Sequence, residues 1–270
     1  MAFSIRVTSA LLLIALAPTP TLADALTFKD VTGQEITLPG PAQRIVTLPQ
    51  PAAATVIAVD GKSERVVGMN PGSRRAFESG LLSKMFPEAS KIESGIVAEG
   101  GGGWMPNVEA IAALKPDLVI QWGARGDDIV APLRNAGIPV ALMVGGGNGG
   151  TEELARDNIR LVADILGKQE RAEELIEWRD QVIQEIKATL AAHPGTERPK
   201  LLHLRSSKGK LTATGEKSYQ HFFISLVGAQ NVGEGLGVQA EVNAEQVAAW
   251  NPDVIILTAQ ETDAGREFVY

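Results

Sequence analysis

Residues 107–120 read N-V-E-A-I-A-A-L-K-P-D-L-V-I, and residues 243–256 read N-A-E-Q-V-A-A-W-N-P-D-V-I-I. Seven of the fourteen positions are identical, and several of the others exchange one apolar residue for another. Each copy spells a physical unit. Asn caps a short helix, and Glu two residues on sits where the helix dipole favours a negative charge. Pro then stops the helix, and Asp leads into a β-branched apolar run suited to a strand buried on both faces. Two such units in one chain predict two similar α/β lobes. They also place an equivalent exposed glutamate, Glu109 and Glu245, on each lobe.

Outward from the first copy, strand and helix patterns alternate. Strands are expected at 44–48, 66–70, 118–122 and 138–144, and helices at 51–59, 77–86, 107–115 and 127–136. Residues 26–38 alternate apolar and polar around Thr32-Gly33 and read as a hairpin. Such alternation implies Rossmann-like lobes with mostly parallel sheets covered on both faces. The loops at the carboxyl ends of the strands are then the place for a ligand.

The centre of the chain changes character. Residues 151–166 and 168–192 carry apolar residues at three-to-four spacing, with Gly167 between them. The second helix, about 25 residues at ~1.5 Å each, would be roughly 38 Å long, enough to join two lobes as a strut. After His193-Pro194-Gly195 a second lobe begins, with strands at 201–204 and 211–214 and a helix near 219–227. The expected organisation is a first lobe over 24–166, a bridging helix over 167–193 and a second lobe over 194–270. The second lobe is short, which predicts a C-terminally truncated product.

Composition narrows the class. An apolar fraction of 44% describes a chain with material for sizeable cores. At the N-terminus Arg6, an apolar stretch over 7–17 and Thr21-Leu22-Ala23 read as a cleavable signal peptide over 1–23. Without it, 24 basic residues stand against 32 acidic ones, a net charge of −8. That balance argues against nucleic acid or an anionic membrane as partner. The chain has no cysteine, so it has no disulfide, no thiolate metal site and no lipid-acceptor thiol after the signal. A freely diffusing periplasmic protein fits these features.

Several further segments carry a likeness. The hairpin at 27–38, P-A-Q-R-I-V-T-L at 41–48, V-V-G-M at 66–69 and the two repeat copies come in a fixed order with N-I-R-L-V-A-D-I-L-G-K at 158–168 and L-V-G-A-Q-N-V at 226–232. Together they resemble the substrate-binding proteins of ABC importers for ferric siderophores, haem and cobalamin, from about residue 25 to 257. The resemblance implies two α/β lobes joined by one long helix, with ligand in the cleft between them. It also implies that Glu109 and Glu245 each pair with an arginine of the importer's permease. Without it, each is an ordinary first-turn glutamate.

Candidate ligand residues follow from the strand-end rule. Trp104 and Trp122 flank predicted loops and could stack on a conjugated chelate, or simply pack. Arg74, Arg75, Arg125 and Arg205 sit just beyond strand ends, where a guanidinium fork suits carboxylate or catecholate oxygens, but each could be a surface charge. Tyr219 could be an axial ligand in a haem binder or a packing residue. The run Gly145–Gly150 matches G-x-G-x-x-G, but no acidic strand end follows about 20 residues on, so it reads as a flexible loop. Gly100–Gly103 reads likewise. His193, His203 and His221 are not clustered, so no metal site is expected, and no cofactor. The expectation is a monomeric periplasmic protein, not an enzyme, that carries a metal chelate, with ferric siderophore placed ahead of haem and cobalamin. The rival readings are a periplasmic enzyme on the same scaffold and a sensory protein that has lost its ligand.

Overall fold

The computed structural model describes residues 25–98, 105–123, 127–144, 152–195, 197–207 and 209–259. The expected signal peptide and both glycine runs lie outside them.

The chain opens with an antiparallel hairpin, β1 (Leu26–Lys29) and β2 (Glu35–Leu38). Asp30 builds its turn. Its carboxylate accepts the Thr32 and Gln34 amides at 2.9 and 3.1 Å, and the Leu142 amide at 3.2 Å. One side chain thus shapes the turn and ties the hairpin to the first sheet.

That sheet runs β4-β3-β5-β6, from β3 (Ile45–Thr47), β4 (Val66–Met69), β5 (Leu118–Trp122) and β6 (Val140–Met143), with every pair parallel. Alternate residues serve two cores. Ile45, Leu118, Ile120, Ala141 and Met143 enter one, whereas Val46, Val119, Val140 and Leu142 enter the other. Burial on both faces is why these strands read as mainly apolar runs, broken by the buried Thr47 and Gln121.

Helices α1 (Gln50–Asp60), α2 (Pro71–Glu78), α3 (Gly80–Met85), α4 (Val108–Ala113) and α5 (Asp127–Asn135) connect the strands. The single helix expected at 77–86 is divided, because Gly80 adopts φ +74° after an extended Ser79. Its first part starts earlier, at Pro71, where the Asn70 side chain caps the helix by accepting the Gly72 amide. Asn-Pro is a cap followed by the residue best suited to a first turn.

The helices α6 (Glu152–Leu166) and α7 (Gln169–Ala192) are separated by Gly167 at φ +67°. The 24 residues of α7 span about 36 Å at ~1.5 Å each. Its start is anchored to the first lobe by a buried carboxylate. Lys168 Nζ lies 2.8 Å from an Asp60 oxygen, and Arg65 Nε lies 3.4 Å from the same oxygen. From there α7 packs along α1 and α6 and reaches α8 (Tyr219–Leu226).

The second sheet has β7 (Lys200–Ser207), β8 (Lys210–Thr214), β9 (Gln230–Asn231), β10 (Gln239–Val242) and β11 (Val254–Ala259), in the order β10-β8-β7-β11 with β9 also on β7. The first sheet is wholly parallel, whereas this one is mixed. β9 and β11 run parallel to β7, and β8 and β10 run antiparallel to their neighbours. The short link through Gly209 at φ +72° forces the β7–β8 reversal, since a parallel pair needs a long crossover. On the edge strand β11, Val254, Ile255 and Ile256 are 46%, 49% and 47% exposed.

The repeat copies fold alike. Asn107 accepts the Ala110 amide at 3.1 Å to start α4, and Asn243 accepts the Gln246 amide at 2.8 Å to start α9 (Ala244–Trp250). Past each helix, Lys115 and Asn251 are the described non-glycine residues with positive φ, at 49° and 45°. Each stands just before its proline, where a left-handed residue turns the chain towards the strand.

Candidate ligand-binding site

Parallel strands bring their carboxyl ends to one edge of the first sheet, and there β5 ends in Trp122 and β6 runs out through Met143 into Val144. These residues, with Pro51 and Thr55 on α1, form one wall of a cavity of about 320 Å³. Leu154, Ala155, Asn158 and Ile159 of α6 add a second wall, and Arg179 of α7 and Tyr219 of α8 complete it. Three parts of the chain therefore meet at one space, in the place where an open α/β sheet binds ligand.

Local chemistry holds each wall. Asn158 clamps the end of β6, accepting the Val144 amide at 2.9 Å and donating to the Val144 carbonyl at 3.0 Å. Tyr219 is the first residue of α8, and its position follows from the turn before it. Ser218 caps the helix by accepting the His221 amide at 3.2 Å and donates to the Gly215 carbonyl at 2.7 Å. A Cβ on Gly215 would lie 2.3 Å from the Gly237 carbonyl oxygen, so only glycine lets these two segments approach. The Tyr219 ring stacks on Phe222 at 5.9 Å and meets Phe223 edge-on at 4.7 Å.

The polar end of the cavity is a three-residue chain. Arg179 donates to both carboxylate oxygens of Glu152, with Nη2 to Oε2 at 3.0 Å, and the same Nη2 donates to the Tyr219 hydroxyl. The hydrogen bond to Glu152 raises the Arg179 pKa further above its usual value. Burial pushes the Tyr219 phenol up, so it stays protonated in neutral solution.

Of the residues expected from sequence, Trp122 and Tyr219 line this cavity. Arg74 does not. It turns to Glu78 at 3.0 Å and Ser94 at 3.2 Å. Arg205 reaches Gln239 at 3.5 Å instead, and Arg75 is exposed on α2. Trp104 and Arg125 lie outside the described residues. Glu109 and Glu245 are exposed at the second position of their helices and do not line the cavity.

Sequence reasoning missed Arg179, Glu152 and Asn158, although one signal was present. Ala172, Ile176 and Ile183 are the buried residues of α7, and Arg179 falls on their face at three-to-four spacing. A cation on the apolar stripe of a helix is a residue with a specific partner.

A family model described as periplasmic binding protein matches residues 56–270. The chain belongs to the periplasmic binding protein family. It is 30% identical over 206 residues to the vitamin B12-binding protein of Salmonella typhimurium, covering 73% of each chain. It is 24% identical to the Fe(3+)-citrate-binding protein YfmC of Bacillus subtilis, over 58% of this chain and 48% of that relative. Among solved structures, a periplasmic solute binding protein from Veillonella parvula superposes with a TM-score of 0.70 at 29% identity, covering 88% of this chain and 70% of the other. That protein is named for binding a solute.

Proposed function

We propose that this periplasmic binding protein captures a metal chelate in the cavity at the carboxyl ends of its first-sheet strands and delivers it to the permease of an ABC importer. The observation that carries the reading is the cavity itself, where first-sheet strand ends, α7 and α8 converge on a largely apolar space. Relatives named for vitamin B12 and ferric citrate support a chelated metal as cargo. A ferric siderophore is placed first as that cargo, with haem or cobalamin as the alternatives. Export through the signal peptide at 1–23 delivers the chain to the periplasm as a freely diffusing monomer. Among the described residues no helix is long and apolar enough to cross a membrane.

Docking follows from the repeat. Glu109 and Glu245 sit at matching helix starts, one per lobe, and both are exposed. Paired with arginines on a two-fold permease, they act at the rim of the complex, where charge mainly sets association rate. Replacing both with alanine should leave chelate affinity intact and lower uptake, more than either single change. Lost chelate binding would place them at the ligand, and unchanged uptake would make them ordinary first-turn residues.

Among the described residues, the arrangement nearest to a catalytic one weakens the enzyme reading. Ser225 Oγ lies 3.4 Å from His221 Nε2, and Asn231 Nδ2 lies 3.3 Å from His221 Nδ1. Asn231 accepts the Gly233 amide through its oxygen, so its nitrogen donates to Nδ1. The imidazole proton then sits on Nε2 and points at Ser225, the wrong way round for a base. Native mass spectrometry of protein purified from cells tests the proposal. A bound chelate of several hundred daltons is expected, and protein that never carries or takes up a metal chelate would refute it.

A further inference from the structure

We propose that Glu152 sets the charge of the cargo, making this cavity selective for an electroneutral chelate over a polyanionic one. The inference rests on the chelate reading above and deepens it. Arg179 is the single charged side chain among the described residues that line the cavity. Its charge is already paired with a carboxylate. Nε and Nη2 donate to the two Glu152 oxygens and Nη2 to Tyr219 as well, which leaves Nη1 as the nitrogen outside this network. The pair is half-withdrawn from water, with the Arg179 and Glu152 side chains 28% and 12% exposed.

The remainder of the wall is apolar or internally satisfied. Trp122, Met143, Leu154 and Ile159 offer carbon surface, and the Asn158 amide is committed to Val144. A polyanion entering this space would lose hydration and meet the Glu152 carboxylate behind Arg179, and among the described lining residues no unpaired cation offsets either cost. A neutral chelate meets no such penalty. Because the Tyr219 oxygen already accepts from Arg179, the phenol's own proton is left to donate to a ligand oxygen or amide carbonyl. The site therefore suits a neutral metal complex with an apolar face and a hydrogen-bond acceptor at one end.

Equilibrium dialysis of the full chain tests this with two neutral probes, cyanocobalamin and a ferric trihydroxamate, and one trianion, a ferric tricatecholate. Wild-type protein should bind at least one neutral probe at least about tenfold more tightly than the trianion. Glu152→Gln frees the Arg179 charge and should raise trianion affinity about tenfold, narrowing the preference for the neutral probe. The double variant Glu152→Gln/Arg179→Gln should lose that gain yet still bind the neutral probe, which also shows that it folds. A wild-type preference for the trianion, or a Glu152→Gln variant with unaltered trianion affinity, overturns the inference and leaves the chelate reading standing. Saturable binding of none of the three sinks the inference, and if haem also fails to bind, the chelate reading falls with it.

Discussion

Asp117 and Asp253, equivalent residues of the two repeat copies, each lock the start of a strand to the neighbouring strand by a reciprocal pair of hydrogen bonds. The Asp117 carboxylate accepts the Arg44 amide at 3.1 Å and its own amide donates to the Arg44 carbonyl at 3.0 Å. The Asp253 carboxylate accepts the Lys200 amide at 2.7 Å and its amide donates to the Lys200 carbonyl at 2.8 Å. The Pro-Asp of the repeat thus sets the register of a parallel pair in each sheet, β5 on β3 and β11 on β7. Asp117→Ala and Asp253→Ala should each cost about 1–2 kcal/mol, since backbone donors lose their acceptor. Amide hydrogen exchange should quicken at Arg44 in the first variant and at Lys200 in the second. Exchange unchanged at both would separate the repeat from register.

The turn before α8 is expected to be intolerant of side chains. Gly215→Ala forces the Gly237 backbone away and should destabilise by about 1–3 kcal/mol. Because Ser218 bonds the Gly215 carbonyl, the change should also displace Tyr219 and weaken chelate binding. Tyr219→Phe separates the two effects, with several-fold weaker binding at near-native thermal stability. Equal stability of Gly215→Ala and wild type would contradict the close approach.

His203 makes stability depend on pH. Its ring lies between the Thr258 and Thr214 hydroxyls at 3.1 and 3.3 Å, and burial first, then the Arg205 charge, push its pKa below the usual 6.5. The unfolded chain takes up a proton near pH 6.5 that the folded chain refuses until lower pH. The stabilisation is therefore complete above about 6.5 and is lost as pH falls towards the depressed folded value. Thermal unfolding between pH 7.5 and 5 should show a fall in Tm that is smaller in His203→Gln. Parallel profiles for the two proteins would remove His203 as the cause.

Asp60 joins the end of α1 to the start of α7, with a carboxylate that is fully buried against Lys168 and Arg65. Asp60→Ala leaves two cations without their partner. The cost should be about 2 kcal/mol, less than the ~3–5 kcal/mol of a fully buried pair, because Lys168 is partly exposed. Urea unfolding measures it, and a midpoint equal to that of wild type would show that the anchor is not needed.

Much of the fold was legible because its strands are buried on both faces. Leu118–Trp122 reads as a strand from its apolar run alone, and the repeat pointed to the second sheet through Asn243 and Pro252. The short strands Gln230–Asn231 and Gln239–Val242 escaped because each is too brief, or too polar on its exposed side, to show a period. The site was legible only in part. Position at a strand end marked Trp122, but it could not say that Arg74 turns to Glu78 or Arg205 to Gln239. Glu152 looked like any acidic residue at a helix start, and its partner is 27 residues away, a separation that no local pattern encodes.

The central claim is capture of a metal chelate at the ends of the first-sheet strands, and tryptophan fluorescence tests it most directly. Trp122 lines the cavity, whereas Trp178 is 64% exposed on α7 and Trp250 packs in the second-sheet core. Titration with ferric hydroxamate, ferric catecholate, haem and cobalamin should give saturable quenching with at least one, and Trp122→Phe should remove most of that quenching. Absence of saturable quenching with all four, or quenching undiminished in Trp122→Phe, would contradict the account.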